Sequence, residues 1–323
     1  LIQTTPKSVT SLPFAKAKSR PGLDPVPVLT KFRGMGVHHA LLVPGLVPDG
    51  LETFHRIRKH FLTKGNVSVL TYPYDGFTLE TLFETIDQFL AKCQKKKRKP
   101  VLVGVSVGGG FLLEYLRRRK LSGISPALAG LVLVSPLTCV DDLAPILHRL
   151  WKPIVADDPT ATQALEKGRS FFRQLASKST TKREVPAGWK GFFAGFTPQG
   201  MSDFIEAPLR ARIEKTLHLM PASGAILRCR ILKELHGLEK SGPAAMLSDC
   251  PTLILWGSKE RHTLNIDGPG VGTLCRPDLA EKHFPNVQIQ WIYTNAGESV
   301  PHASLLKHDK AFARPLREFL ARL

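Results

Sequence analysis

Short apolar runs rich in β-branched residues alternate along the first part of the chain with longer stretches of helical periodicity. Val37–Val43 (VHHALLV) reads as a strand that stops at Pro44-Gly45. Leu51–Lys64 reads as a helix. Val67–Thr71 (VSVLT) reads as a strand ending at Tyr72-Pro73. Thr78–Cys93 places Leu79, Leu82, Phe83, Ile86, Phe89 and Leu90 at helical spacing. Pro100–Val105 and Leu131–Val134 read as strands, and Val107–Lys120 between them as a helix with a Gly-rich start and an Arg-rich end. This rhythm with short connections predicts an α/β fold, a mostly parallel sheet covered by helices on both faces.

The rhythm stops at about Cys139 and resumes at Pro251–Trp256 (PTLILW), Val287–Tyr293 (VQIQWIY) and a last helix from Asp309 to Leu323. Between them lie helical stretches, Asp142–Trp151, Thr160–Ser177 and Pro208–Leu217, and an aromatic patch, Trp189–Phe196. A structureless loop of that length is improbable. The expected organisation is therefore an N-terminal arm (1–30), a core made of 31–138 and 249–323, and a helical cap inserted at 139–248. The aromatic patch suits an apolar substrate group, or else packs the cap on the core.

Composition narrows the class. With 323 residues and 43% hydrophobic positions a sizeable core is available. No apolar run is long enough to predict a transmembrane helix. The balance of 45 Lys+Arg against 27 Asp+Glu gives +18. Such a surface can keep the protein soluble or meet an anionic surface or membrane; nucleic acid is the weaker reading of its densest run, Lys95–Lys99, which falls at a helix C-terminus, where cations are favoured. Five cysteines, Cys93, Cys139, Cys229, Cys250 and Cys275, an odd number with no C-x-x-C, argue against a fully paired disulfide framework, leave one bridge with free thiols open, and favour a reducing, cytoplasmic setting; no metal site is expected. Residues 1–20 carry Lys7, Lys16, Lys18 and Arg20 without an acid. They read either as the remnant of a targeting segment, leaving an organellar or exported location open, or as a polar arm before Pro25-Val26-Pro27.

The chemistry concentrates at Gly104-Val105-Ser106-Val107-Gly108, between a strand and a Gly-rich helix start. G-x-S-x-G at a strand-to-helix turn is a nucleophile elbow. The turn is too tight for side chains flanking the serine, and the helix N-terminus behind it favours developing negative charge. The stretch does not match the phosphate-binding G-x-G-x-x-G, and no G-K-[ST] follows.

On these residues the chain resembles the α/β-hydrolase superfamily across nearly all of 37–323. The resemblance implies Ser106 as nucleophile and an oxyanion hole from the backbone N–H groups of Leu46, in Val43-Pro44-Gly45-Leu46, and of Val107. Pro44 departs from the family's usual His-Gly. It implies an acid in Trp256-Gly257-Ser258-Lys259-Glu260, where Glu260 stands at the family's aspartate position; Asp141 and Asp142, after an earlier strand, are the alternative acids. It implies a histidine in the loop before Phe312: His302 if the loop is aligned from that Phe, whereas alignment from Gly297 would put Glu298 there. His308 is the second candidate. The implied activity is hydrolysis of a small ester with an apolar portion through an acyl-enzyme, without cofactor or metal. Acyl transfer on the same residues, or ligand binding without catalysis, are the alternatives.

Overall fold

The computed structural model describes residues 25–46, 48–145, 147–149, 151, 207–238 and 246–323. Their centre is a seven-stranded sheet: β1 (Val28–Phe32), β2 (His38–Val43), β3 (Gly65–Thr71), β4 (Lys99–Val105), β5 (Gly130–Val134), β6 (Thr252–Gly257) and β7 (Val287–Ile292). The order is β1-β3-β2-β4-β5-β6-β7. All neighbours are parallel except β1, which runs antiparallel to β3 with Val28 opposite Thr71.

The six parallel strands are those the apolar runs predict, within two residues at each end. β4, β5 and β6 are buried almost throughout, because both faces of the sheet are covered. Alternation splits their side chains between two cores. Leu41, Val43, Leu102, Ile254 and Trp256 face one core with Leu82, Phe89 and Phe111. Ala40, Leu42, Val103, Leu253 and Leu255 face the other with Phe54, Phe61, Phe312 and Phe319.

Helix α3 (Leu79–Lys95) buries Leu79, Leu82, Phe83, Ile86, Phe89 and Cys93 along one stripe and is capped by Thr78; Leu90 is only half-buried. Helix α4 (Val107–Leu121) is buried continuously from Val107 to Leu116. Two expectations differ from what forms. Leu51–Lys64 is not one helix but two short ones, α1 (Gly50–Thr53) and α2 (Arg58–Leu62), joined by turns. β1 was not expected at all: its residues lie across the boundary of the segment read as an arm, and a five-residue edge strand after Pro25 and Pro27 gives little periodic signal.

Of the segment between β5 and β6, the described residues form a 3-10 turn at Val140–Asp142, helical residues at Pro145, Leu147–Arg149 and Trp151, helices Ala207–Leu219 and Ala222–Arg230, and a 3-10 turn at Ile231–Glu234. Thr160–Ser177, Trp189–Phe196 and residues 1–24 lie outside the described residues. Among the described helices none is long and apolar enough to cross a membrane. All five cysteines are free thiols.

The strand order decides where chemistry can sit. From β2 the chain steps outward to β3, then crosses back over β2 to β4 and continues the other way. In open parallel sheets the crevice beyond the carboxyl ends at such a switch point is where ligands bind. Here those ends are Val43 and Val105, with Val43 paired to Gly104.

Candidate functional site

Ser106 occupies the turn between β4 and α4 with φ 53° and ψ −122°, a conformation that side chains rarely adopt. The turn is held on both sides: the Ser106 N–H donates to the Val134 carbonyl at 2.8 Å, and its carbonyl accepts from Gly109 and Leu137 at 2.9 and 3.0 Å. The surrounding glycines are steric necessities. A Cβ at Gly104 would lie 2.6 Å from the Gly109 Cα, and one at Gly108 would lie 2.3 Å from the Pro44 carbonyl oxygen. One at Gly45 would sit 3.4 Å from the Ser106 Cβ, so the Pro44–Leu46 turn passes directly against the serine. Leu46 and Val107 therefore flank Ser106, and the Val107 N–H, first in its helix, has no carbonyl in a preceding turn to bond.

His302 approaches from the loop after β7, with Nε2 2.9 Å from the Ser106 Oγ. Its Nδ1 is 2.6 Å from Glu260 Oε2. The other carboxylate oxygen of Glu260 accepts from the Gly257 N–H at 2.8 Å and from the Ser135 hydroxyl at 2.5 Å. Glu260 and Ser135 are fully buried. A 3-10 turn, Glu260–His262, begins at this residue, and its carboxylate folds back to the Gly257 N–H. The two loops are sewn together where Lys259 donates to Val300 and Val300 to the Ser258 hydroxyl. They can approach because position 257 is glycine: a Cβ there would lie 2.6 Å from the Pro301 carbonyl oxygen.

The alternatives are placed elsewhere. Asp142 is fully buried and accepts from the Thr138 N–H and hydroxyl and from the Gly270 and Val271 N–H groups, at 2.5 to 3.1 Å. Those bonds clamp the loop after β5 to the chain after β6. Asp141 is exposed, 3.4 Å from His148. His308 bonds the Ser304 hydroxyl at the start of the final helix. Glu298 is exposed and closes a turn in which Gly297 has φ 75°.

Three contributors escape a reading of the sequence. Ser135 bridges the site, donating to Glu260 while accepting from the Ala303 N–H at 3.2 Å. Ser106, Ser135 and Ala303 are three of the four non-glycine residues with positive φ among the described residues. Backbone strain concentrated in this way is characteristic of functional sites. Tyr72, buried at the end of β3, donates to the Pro44 carbonyl at 2.8 Å and so fixes the turn beside Ser106. Arg228, from helix Ala222–Arg230, is 1% exposed; its guanidinium donates to the carbonyls of Tyr72, Pro73 and Leu46 at 2.7, 2.9 and 3.3 Å. Tyr72 and Ser135 each stand beside a proline where a strand run ends, which marks a turn but no contact; an Arg in the Ala222–Arg230 stretch carries no such signal.

The sheet order, the elbow beyond β4 and the loops beyond β6 and β7 make this an α/β-hydrolase fold. Solved structures agree with that fold. A thermophilic esterase from Thermogutta terrifontis matches with TM-score 0.57 at 17% identity, over 95% of this chain and 96% of its own. A bromoperoxidase from Bacillus anthracis matches with TM-score 0.58 at 17% identity, over 91% and 95%. An epoxide hydrolase from Bacillus megaterium matches with TM-score 0.54 at 13% identity, over 91% and 96%. No family model and no curated protein sequence matches the chain.

Proposed function

We propose that this protein is a serine hydrolase that cleaves carboxylic esters through an acyl-enzyme on Ser106. The observation that carries the reading is the continuous hydrogen-bonded chain from Ser106 Oγ through His302 to Glu260, at 2.9 and 2.6 Å. With Nδ1 protonated and donating to Glu260, Nε2 is left as the acceptor for the serine proton. Ser106 Oγ then attacks the ester carbonyl carbon as its proton passes to Nε2. The tetrahedral oxyanion is held by the N–H groups of Leu46 and Val107, and collapse expels the alcohol, which takes the proton from His302. Water repeats the sequence, releasing the acid and restoring Ser106. Glu260 stabilises the imidazolium, and two preorganised backbone donors supply several kcal/mol at the transition state, since loss of one such donor costs about 3–4 kcal/mol.

Epoxide hydrolases of this fold use an aspartate as nucleophile. The serine at the elbow therefore favours acyl chemistry over ring opening, although an epoxide hydrolase is among the similar structures. In this reading the described helices between β5 and β6, Ala207–Leu219 and Ala222–Arg230, belong to a cap, and Arg228 ties the second of them to the turn beside Ser106. A fluorophosphonate probe should label the wild-type protein at Ser106, and Ser106→Ala should lose labelling and lower ester turnover by several orders of magnitude while staying folded. Wild-type turnover in the folded variant would end the proposal. Acyl esters of increasing chain length define the apolar portion of the substrate, and product formed on an added alcohol would mark acyl transfer in place of hydrolysis.

A further inference from the structure

The end of the sheet opposite Ser106 gathers four loops with an unusual composition. These are Lys31–His38 between β1 and β2, Lys59–Asn66 leading into β3, Lys92–Val101 between α3 and β4, and Arg117–Leu131 between α4 and β5. None of the four contains an Asp or Glu, and between them they hold fourteen Lys and Arg. The fold brings them together. The Met35 and His38 N–H groups donate to the Leu62 and Lys64 carbonyls, Lys99 donates to the Val37 carbonyl, and Arg98 donates to the Gly36 carbonyl. Ala129 donates to Pro100, which joins the fourth loop to the third. Helices α3 and α4 lie side by side, tied by Tyr115 and Arg119 to Asp87.

Apolar side chains stand exposed on the same loops: Met35 at 83%, Leu121 at 69%, Val37 at 55% and Ile124 at 49%. They are four of the ten large hydrophobic residues exposed among the described ones. The positive field is felt inside as well. The pKa of His39 is pushed down to about 4, chiefly by burial and then by Arg98, Lys31 and Lys96.

We propose that this end of the molecule is a docking face for an anionic lipid bilayer. The two ingredients are those a peripheral membrane surface needs: cations to meet the headgroups, and protruding apolar side chains to enter the acyl boundary. Solubility alone explains the lysines but not the exposed Met35 and Leu121 among them. A nucleic-acid face would be expected to offer aromatic side chains for base stacking, and on these four loops the aromatic residues are Phe32 and Phe61, of which Phe61 is buried and Phe32 lies under the Arg58 guanidinium. β4 carries Lys99 at one end and leads into Ser106 at the other, seven residues long, so about 20 Å separates the face from the serine. Docking by this face therefore anchors the protein while its site looks away from the bilayer, towards substrate in the aqueous phase.

The test is co-sedimentation of the full chain with vesicles of phosphatidylcholine alone and of phosphatidylcholine with phosphatidylserine, which reads binding without reference to activity. Binding should require phosphatidylserine and fall as salt is raised. Lys95→Ala with Lys96→Ala should weaken it about thirtyfold, at the usual contribution of a cation near an anionic surface; Lys97 is left in place because its φ of 50° would complicate folding. Met35→Ser with Val37→Ser should weaken vesicle binding at least tenfold and leave any binding to duplex DNA unchanged. No sedimentation, equal binding to both vesicle types, or a Met35/Val37 variant that binds like wild type would overturn the proposal, the last result pointing to a face for polyanions in general.

Discussion

Two buried carboxylates after successive strands, Glu260 and Asp142, have different partners, and the difference predicts different phenotypes. Glu260 faces an imidazole, whereas Asp142 faces four neutral donors that hold two loops together. Glu260→Gln should keep the fold and lose about four orders of magnitude in turnover, as the analogous change to an amide does in serine proteases. Asp142→Asn should do the reverse. An amide has one acceptor oxygen for four donors, so unfolding free energy should fall by about 2–3 kcal/mol, while turnover per folded molecule stays near wild type. Activity measurements paired with urea titrations separate the two, and a catalytically dead but stable Asp142→Asn would move the acid to the end of β5. In the sequence both follow a strand, and what favours Glu260 there is the resemblance of Trp256-Gly257-Ser258-Lys259-Glu260 to the family's acid loop; the glycine in it allows the histidine loop to close onto the turn. Ser135, by contrast, was legible only as part of a turn, because the hydrogen bonds that recruit it cross from β5 to loops more than a hundred positions away.

At the level of elements, helix Ala222–Arg230 reaches the turn beside Ser106 through Arg228. It packs so closely on the loop after β3 that a Cβ at Gly224 would lie 1.8 Å from the Tyr74 carbonyl oxygen. Its Arg228 collects carbonyls from that loop and from Leu46. Arg228→Met preserves much of the volume but leaves those carbonyls without their donor. It should lower kcat about tenfold or more with a smaller change in KM, because in the proposed mechanism the Leu46 N–H serves the oxyanion and not the ground-state ester. Arg228→Lys should not restore it, since one ammonium cannot reproduce the guanidinium fork. Steady-state kinetics on both variants would show it; a pure KM effect would reduce Arg228 to a packing role. The parallel strands were legible as elements because burial on both faces writes uninterrupted apolar runs into the sequence. β1 was not, since a short edge strand pairs through its backbone, and the broken helix between β2 and β3 was not, since its apolar spacing continues through the turns.

Across the whole molecule, a buried carboxyl and a half-buried imidazole set opposite pH dependences of stability. Glu52 closes a capping box with Asp49 and accepts from Thr216 of helix Ala207–Leu219. Burial, and next the Asp49 carboxylate, push its pKa up to about 7 from 4.5. Between those values the native state holds a proton that the unfolded chain has released. The stability Glu52 lends is therefore complete below about 4.5 and is lost as pH rises through about 7. His39, lowered to about 4 from 6.5, has the other sign: its contribution is present above 6.5 and is lost as pH falls through about 4. Glu52→Gln removes only the first. Its urea midpoint, relative to wild type, should therefore rise steadily from pH 4.5 to 7, and parallel profiles would show that Glu52 stays ionised. The scatter of the site along the chain also sets when it can form. Ser106, Ser135, Glu260 and His302 come from four loops, and the Ser106–His302 bond spans 196 positions. None of the contacts between them exists until β5, β6 and β7 have zipped onto β4, and such non-local pairings form slowly. During refolding, reactivity of Ser106 towards a fluorophosphonate should thus return with the slowest phase, behind the recovery of helical signal from α3 and α4. On the proposed mechanism, a chain emerging from the ribosome would carry Ser106 as an inert hydroxyl until the last strand and the loop after it had been delivered, unable to acylate itself or its neighbours while still incomplete.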